Sequence, residues 1–135
     1  MSGSLEIADV ASFLNASGGL TNSAQISSSG TLTIDSAQTV ATYIQNGSGV
    51  LNGSATLTAT GGATLNGGTV SGSLLGNVTS TGNVLVSGSI AGGNLSLTGG
   101  TLTLSGTSTH SLVDISAPAT LLVTNGGLDS AAAII

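Results

Sequence analysis

The stretch Gly62-Ala63-Thr64-Leu65-Asn66-Gly67-Gly68-Thr69-Val70-Ser71-Gly72 holds the pattern from which the rest of the chain can be read. Two three-residue runs, each alternating small polar with apolar side chains, flank Asn-Gly-Gly. Alternation with period two marks a strand with one buried face, and Asn-Gly tolerates the positive φ of a sharp change of direction. The same wording recurs outward from it in Thr31-Leu32-Thr33-Ile34, Asn83-Val84-Leu85-Val86, Asn94-Leu95-Ser96-Leu97 and Thr101-Leu102-Thr103-Leu104. Glycine interrupts nearly every ten-residue window, and Thr and Val favour strands, so no long helix is expected. A Gly/Ser-rich chain this poor in charge resembles a flexible linker, but these regularly spaced apolar clusters argue for a packed core.

Self-comparison finds a register anchored on Gly30, Gly49, Gly68, Gly88, Gly106 and the Gly126-Gly127 pair, with steps of 18 to 21 residues. Each unit divides into three strand candidates. The first reads Thr31-Leu32-Thr33, Val50-Leu51-Asn52, Thr69-Val70-Ser71, Ser89-Ile90-Ala91 and, weakly, Thr107-Ser108-Thr109. The second reads Ala55–Thr58, Ser73–Leu75, Asn94–Leu97 and Leu112–Ile115, and the third Thr42–Ile44, Ala63–Leu65, Val84–Val86, Thr101–Leu104 and Thr120–Val123. Three strands and three turns per unit predict an all-β parallel β-helix, a β-solenoid of about five coils over residues 19 to 135, with residues 1 to 18 as an amino-terminal cap.

A side of four residues spans roughly 13 Å at ~3.3 Å per residue, so the core is narrow and takes Leu, Val, Ile and Ala where rings would overpack. That fits a chain with no Trp, one Phe and one Tyr. The pairs Asn46-Gly47, Asn52-Gly53, Asn66-Gly67 and Asn125-Gly126 are read as corners; the competing reading is two-residue hairpin turns of an antiparallel sandwich. Outward positions are mostly Ser, Thr and Asn. Coils stacked about 4.8 Å apart bring like residues into ladders, and hydroxyl and amide ladders hydrogen-bond where charged ones would repel.

The 135 residues include no Lys, no Arg and no Cys, against five acids (Glu6, Asp9, Asp35, Asp114, Asp129) and one His, for a formal net charge of −5. Gly (22), Ser (22) and Thr (19) supply nearly half the chain, yet mean hydropathy is +0.51. Binding to nucleic acid needs cations to displace the counterions on phosphates, and a phosphate-cradling lysine, an arginine finger, a thiolate and a zinc-cysteine site are all excluded by composition. No run of about 18 apolar residues is present, so no membrane-spanning helix is expected, and Met1-Ser2-Gly3-Ser4 does not begin a signal peptide.

The phrases Ser29-Gly30-Thr31-Leu32-Thr33-Ile34, Gly62 to Gly72, and Gly99-Gly100-Thr101-Leu102-Thr103-Leu104-Ser105-Gly106 resemble the β-helical passenger repeats of bacterial autotransporters and of filamentous-haemagglutinin-like secreted adhesins. The likeness runs from about residue 19 to 135. It implies a right-handed parallel β-helix, secreted or carried on the bacterial surface, serving adhesion, self-association or display. The full pattern also has a signal peptide and a membrane-barrel translocator. Their absence here makes the chain look like a segment or a minimal member.

No catalytic, cofactor-binding or metal-binding residue is assigned. His110 and Asp114 are the one His-carboxylate pair of neighbours, but positions i and i+4 of a strand share a face roughly 13 Å apart, beyond hydrogen-bond reach. A solvated or locally bonded His110 near a coil edge is expected. Asp35 and Asp114 fall at different coil positions and do not form a glycosidase pair. Gly92-Gly93-Asn94 and Gly99-Gly100-Thr101 lack the acid of a calcium nonapeptide. Thr-x-Thr pairs, which in a single column would arrange water as in ice, are assigned to three faces: Thr31/Thr33 and Thr107/Thr109 to the first, Thr56/Thr58 to the second, Thr101/Thr103 to the third. The sequons at Asn15, Asn46, Asn52, Asn77 and Asn94 are expected by chance, and Tyr43 is either an exposed contact or a partly buried plug. Over residues 4 to 14 a short helix with Val10, Phe13 and Leu14 on one side, or an irregular coil plugged by Phe13, would cap the stack. Ala131 to Ile135 is apolar, as at a cut or at an end that stacks on another molecule.

The reading is therefore of a non-enzymatic stalk, adhesion or self-association module without a cofactor. Its partners would be further copies, end to end or side by side, or a cell-surface glycan or protein, with no nucleic acid and no membrane insertion. The alternative is a module that binds ice or a glycan through a Thr/Ser-rich face.

Overall fold

The computed structural model describes residues 3–7, 13–15, 24–125 and 127–135. They form strands and turns with no helix, and every strand pairing is parallel. Parallel neighbours cannot be joined by hairpin turns, which removes the sandwich.

Three faces result. The first stacks seven strands, Phe13–Asn15, Thr31–Thr33, Val50–Asn52, Gly68–Val70, Val84–Val86, Thr101–Leu104 and Thr120–Val123. Seven strands make six laps, one more than the sequence reading counts. The second face stacks Gln38–Val40, Thr56–Ala59 and Ser73–Leu75, and the third Gly3–Ile7, Ala24–Ser28, Thr42–Gln45, Ala63–Leu65 and Val78–Ser80. From there Ser89–Leu97, Thr107–Ile115 and Gly127–Ile134 each run continuously along the second face and around onto the third.

The glycine frame follows the chain through three coils and then slips by one side. Leu32, Leu51 and Val70 are in register at intervals of 19, but Val70 pairs with Val86 after only 16 residues. Val84–Val86, Thr101–Leu104 and Thr120–Val123 therefore belong to the first face, not the third. Ser89–Ala91 and Thr107–Thr109 move to the second, and Asn94–Leu97 and Leu112–Ile115 to the third. The glycine register joins two separate columns. Gly49 and Gly68 stand where the chain enters the first face, whereas Gly72, Gly88 and Gly106 stand where it leaves. At the leaving corner a Cβ on Gly106 would overlap the Gly88 carbonyl oxygen, and one on Gly88 that of Gly72. Glycine occurs at both corners, so the residue type alone does not say which corner it marks.

Inward side chains form apolar columns along the axis: Leu32, Leu51, Val70, Val86 and Leu104 from the first face, Leu57, Leu74 and Ile90 from the second, and Ile26, Tyr43, Ala63, Val78, Leu95 and Val113 from the third. Each of the Leu, Ile or Val side chains contributes about 1.5–3 kcal/mol by leaving water. At the amino end, Gly3–Ile7 and Phe13–Asn15 are strands in register with the following coil, where a helix or an irregular plug was expected. Val10 lies outside the described residues.

Candidate functional site

His110 does not sit at a solvated edge. Its side chain is buried, at 2% exposure, and neither ring nitrogen has a hydrogen-bond partner among the described residues. Its backbone stacks on Gly92, which follows Gly76 in the coil below. Two positions without side chains therefore precede it in the column. Two residues earlier, Ser108 also points inward with its Oγ unpartnered. Burial pushes the His110 pKa down, because desolvation disfavours the imidazolium.

Asp114 faces the other way. The strand Thr107–Ile115 turns a corner near Ser111 and Leu112, which breaks the strict alternation, so that Ser108, His110 and Val113 are the buried positions. Asp114 sits in register with Ser96 on the outer side of the third face. The shared face assumed from the i, i+4 spacing does not exist. Asp35 is exposed on the bend after Ile34, and no cluster of three His, Cys, Asp or Glu side chains forms among the described residues.

Tyr43 is fully buried. Its hydroxyl donates to Gln45 Oε1, and Gln45 Nε2 donates to the Gly67 carbonyl of the next coil, at 2.8 Å. Tyr43 is thus neither an exposed contact nor a partial plug, and its partner Gln45 is a buried residue that the sequence reading does not single out. Spacing held the clue, since residues two apart on a strand share a face.

The exterior carries the ladders expected of it. Asn46 Nδ2 donates to Ser27 Oγ (3.1 Å), Asn66 Nδ2 to Asn46 Oδ1 (2.8 Å), and Thr81 Oγ1 to Asn66 Oδ1 (2.5 Å), linking four successive coils. Asn52 Oδ1 accepts from Thr33 Oγ1 at 2.6 Å, and Asn77 and Asn83 accept from the backbone N–H groups of Asn94 and Thr101. Three of the sequon asparagines thus brace the coils.

The Thr-x-Thr pairs occupy two faces, not three: Thr31/Thr33 and Thr101/Thr103 share the first, Thr56/Thr58 and Thr107/Thr109 the second. On the second face Thr56, Ser73, Ser89 and Thr107 make an unbroken hydroxyl column. On the first, the outward column beyond the Phe13 row alternates Thr31, Val50, Thr69, Leu85, Thr103, Leu122. Leu85 and Leu122 are 40% and 48% exposed. An open trough of about 550 Å³ runs beside this column, between Gly47-Ser48 and Asn83 with Thr101.

Comparison of the chain with protein-family models, with curated proteins and with solved structures finds no match. The functional reading therefore rests on the chain's own surfaces.

Proposed function

We propose that this chain is a non-enzymatic structural module, a β-solenoid segment that extends and associates at a bacterial surface or after secretion, like the adhesin repeats it resembles. The observation that carries the reading is the exterior. Hydroxyl and amide ladders cover a stack of parallel coils in a chain without a single Lys or Arg. Such a surface meets another copy, or a glycan, by hydrogen bonds and small apolar contacts with little like-charge repulsion. Six laps at ~4.8 Å give roughly 29 Å of length, so one chain serves as a spacer unit as well as a contact surface. His110 is buried in the core and offers no exposed base for catalysis.

Displaying the chain on a bacterial cell tests the reading. Displaying cells should clump and settle faster than cells bearing the same anchor alone, or adhere to glycan-coated surfaces. Neither behaviour in any display orientation overturns it.

The hydroxyl column Thr56–Ser73–Ser89–Thr107 supports a second reading, recognition of ice or a glycan by the second face. Thermal hysteresis and a glycan array would reveal it.

A further inference from the structure

The strand Thr107–Ile115 carries three buried polar atoms that have no hydrogen-bond partner among the described residues: both imidazole nitrogens of His110 and the hydroxyl of Ser108. Each has given up its water without replacing it, so this strand gains by readmitting water. Depth decides what that requires. Along the axis, Ser108 and His110 are covered by a single described strand, Gly127–Ile134, which pairs Leu128 with Ser108 and Ser130 with His110. Ser80, the other buried hydroxyl without a partner, lies under two strands in succession, in register with Leu97 and then Ile115.

The covering strand is also the one whose pairing is interrupted beside the histidine. Ser89–Leu97 and Thr107–Ile115 keep one register from end to end. In the next pair the register slips between His110 and Leu112, so that Ser111 stands opposite both Ala131 and Ala132. A bulge of this kind leaves a residue unpaired and breaks the ladder locally. The weak point of the outer ladder and the buried imidazole therefore coincide.

We propose that Gly127–Ile134 is an acid-released latch: it closes over neutral His110, and a proton on the imidazole frees it from Thr107–Ile115 while the coils beneath stay wound. No opposite charge inside the stack holds that proton. Ser89–Leu97 and the first-face strands Thr101–Leu104 and Thr120–Val123 contain no titratable residue, and Asp114 stands on the outer side of the third face. The one acid of the covering strand, Asp129, pairs through its backbone with Thr109, an exposed position.

Burial disfavours the imidazolium and lowers the His110 pKa in the closed form. With the strand lifted, the ring is hydrated and takes its proton at the ordinary value, so the open form is favoured as pH falls below about 6.5. Above that pH the ring is neutral in both forms and the latch stays shut. A stacked coil contacts only its neighbours, so an end strand opens without unwinding those below. What opening uncovers is a nine-residue edge of unpaired backbone N–H and C=O groups along Thr107–Ile115. The device stands whether or not the solenoid adheres to anything.

Amide hydrogen exchange of the full chain between about pH 7.5 and about pH 5, the range in which an imidazole titrates, tests it once the intrinsic pH dependence of exchange is removed. Protection of Thr107–Ile115 and Gly127–Ile134 should fall roughly tenfold or more, while the strands from Thr31–Thr33 to Val84–Val86 keep theirs. The imidazole resonance, unambiguous in a chain with one histidine, should titrate with the same midpoint as that loss. His110→Leu and the polar His110→Gln cannot take up the proton, and either one, once folded, should show constant protection. The matched midpoints test the parent without any substitution. Protection unchanged with pH, protection lost from every coil together, a fall that persists in a variant, or an imidazole that titrates while both strands stay protected overturns the latch.

Discussion

The Tyr43 hydroxyl donates to Gln45 Oε1 at 2.9 Å, both side chains wholly inside the solenoid. A narrow aliphatic core accepts one phenol because the neighbouring residue on the same inner face completes its hydrogen bond, and the spare amide of Gln45 goes on to cap the Gly67 carbonyl. The pair behaves as one polar unit. Tyr43→Phe strands Gln45 Oε1 and should cost about 1–2 kcal/mol, while Gln45→Ala strands the hydroxyl and the carbonyl and opens a cavity, costing about 3 kcal/mol or more. Chemical denaturation of both single variants and of the double variant should show a combined loss smaller than the sum, since the second change removes a partner already lost.

Tyr43 is the chain's one tyrosine, so its ionisation can be followed alone. Burial raises its pKa well above the ordinary 10.0, because the phenolate would lie in the apolar core. Above pH 10 the unfolded chain loses the proton and the folded one keeps it, so stability is full below that pH and falls as pH rises beyond it. The ultraviolet signal of tyrosinate should stay absent past pH 10 and then appear together with loss of β-sheet circular dichroism. Smooth titration near 10 with the fold intact would show the ring to be exposed.

His110 sets the acid limb. Its folded pKa lies below the ordinary 6.5, so its contribution is present above that value. As pH falls below about 6.5 the unfolded state takes up a proton that the native core refuses, and stability declines with a slope of up to about 1.4 kcal/mol per pH unit. Replacing His110 by Leu should remove that decline between pH 7 and pH 5 and leave the alkaline side unchanged. Parallel denaturation curves for the two proteins across this range would refute the role.

Gly47 and Gly106 separate two costs of replacing glycine. Gly47 has φ +55 with open space where a Cβ would go, whereas Gly106 has ordinary φ but a Cβ there would overlap the Gly88 carbonyl oxygen. Gly47→Ala should cost about 1–2 kcal/mol, the strain of a left-handed alanine. Gly106→Ala forces two coils apart and should cost about 3 kcal/mol or more, with a broadened thermal transition. Equal losses would mean that the coils are not in van der Waals contact at that corner.

How far the fold could be read depended on which physical signal each residue carried. Leu32, Leu51 and Val70 could be aligned because period-two alternation and a 19-residue step agree over three coils. Val86 could not, because the chain returns to the first face after 16 residues, and the glycine at position 88 looks the same whether it eases the entry or the exit of a strand. The Asn ladders were legible as a type of contact, but not the particular partners Asn46, Asn66 and Thr81. The misplacement of the Thr-x-Thr pairs followed directly from the slipped frame.

The amino-acid sequence by itself determined that the chain winds as a parallel β-solenoid with a slender aliphatic core and a nearly uncharged exterior, because alternation, corner residues and composition are local or additive properties. Only the tertiary structure decided that His110 points inward over Gly92, that Tyr43 leans on Gln45, and that Thr and apolar side chains alternate up the first face. Those facts depend on which residues of separate coils lie in register. Register is set by the length of every intervening turn, and one short lap shifts all that follows.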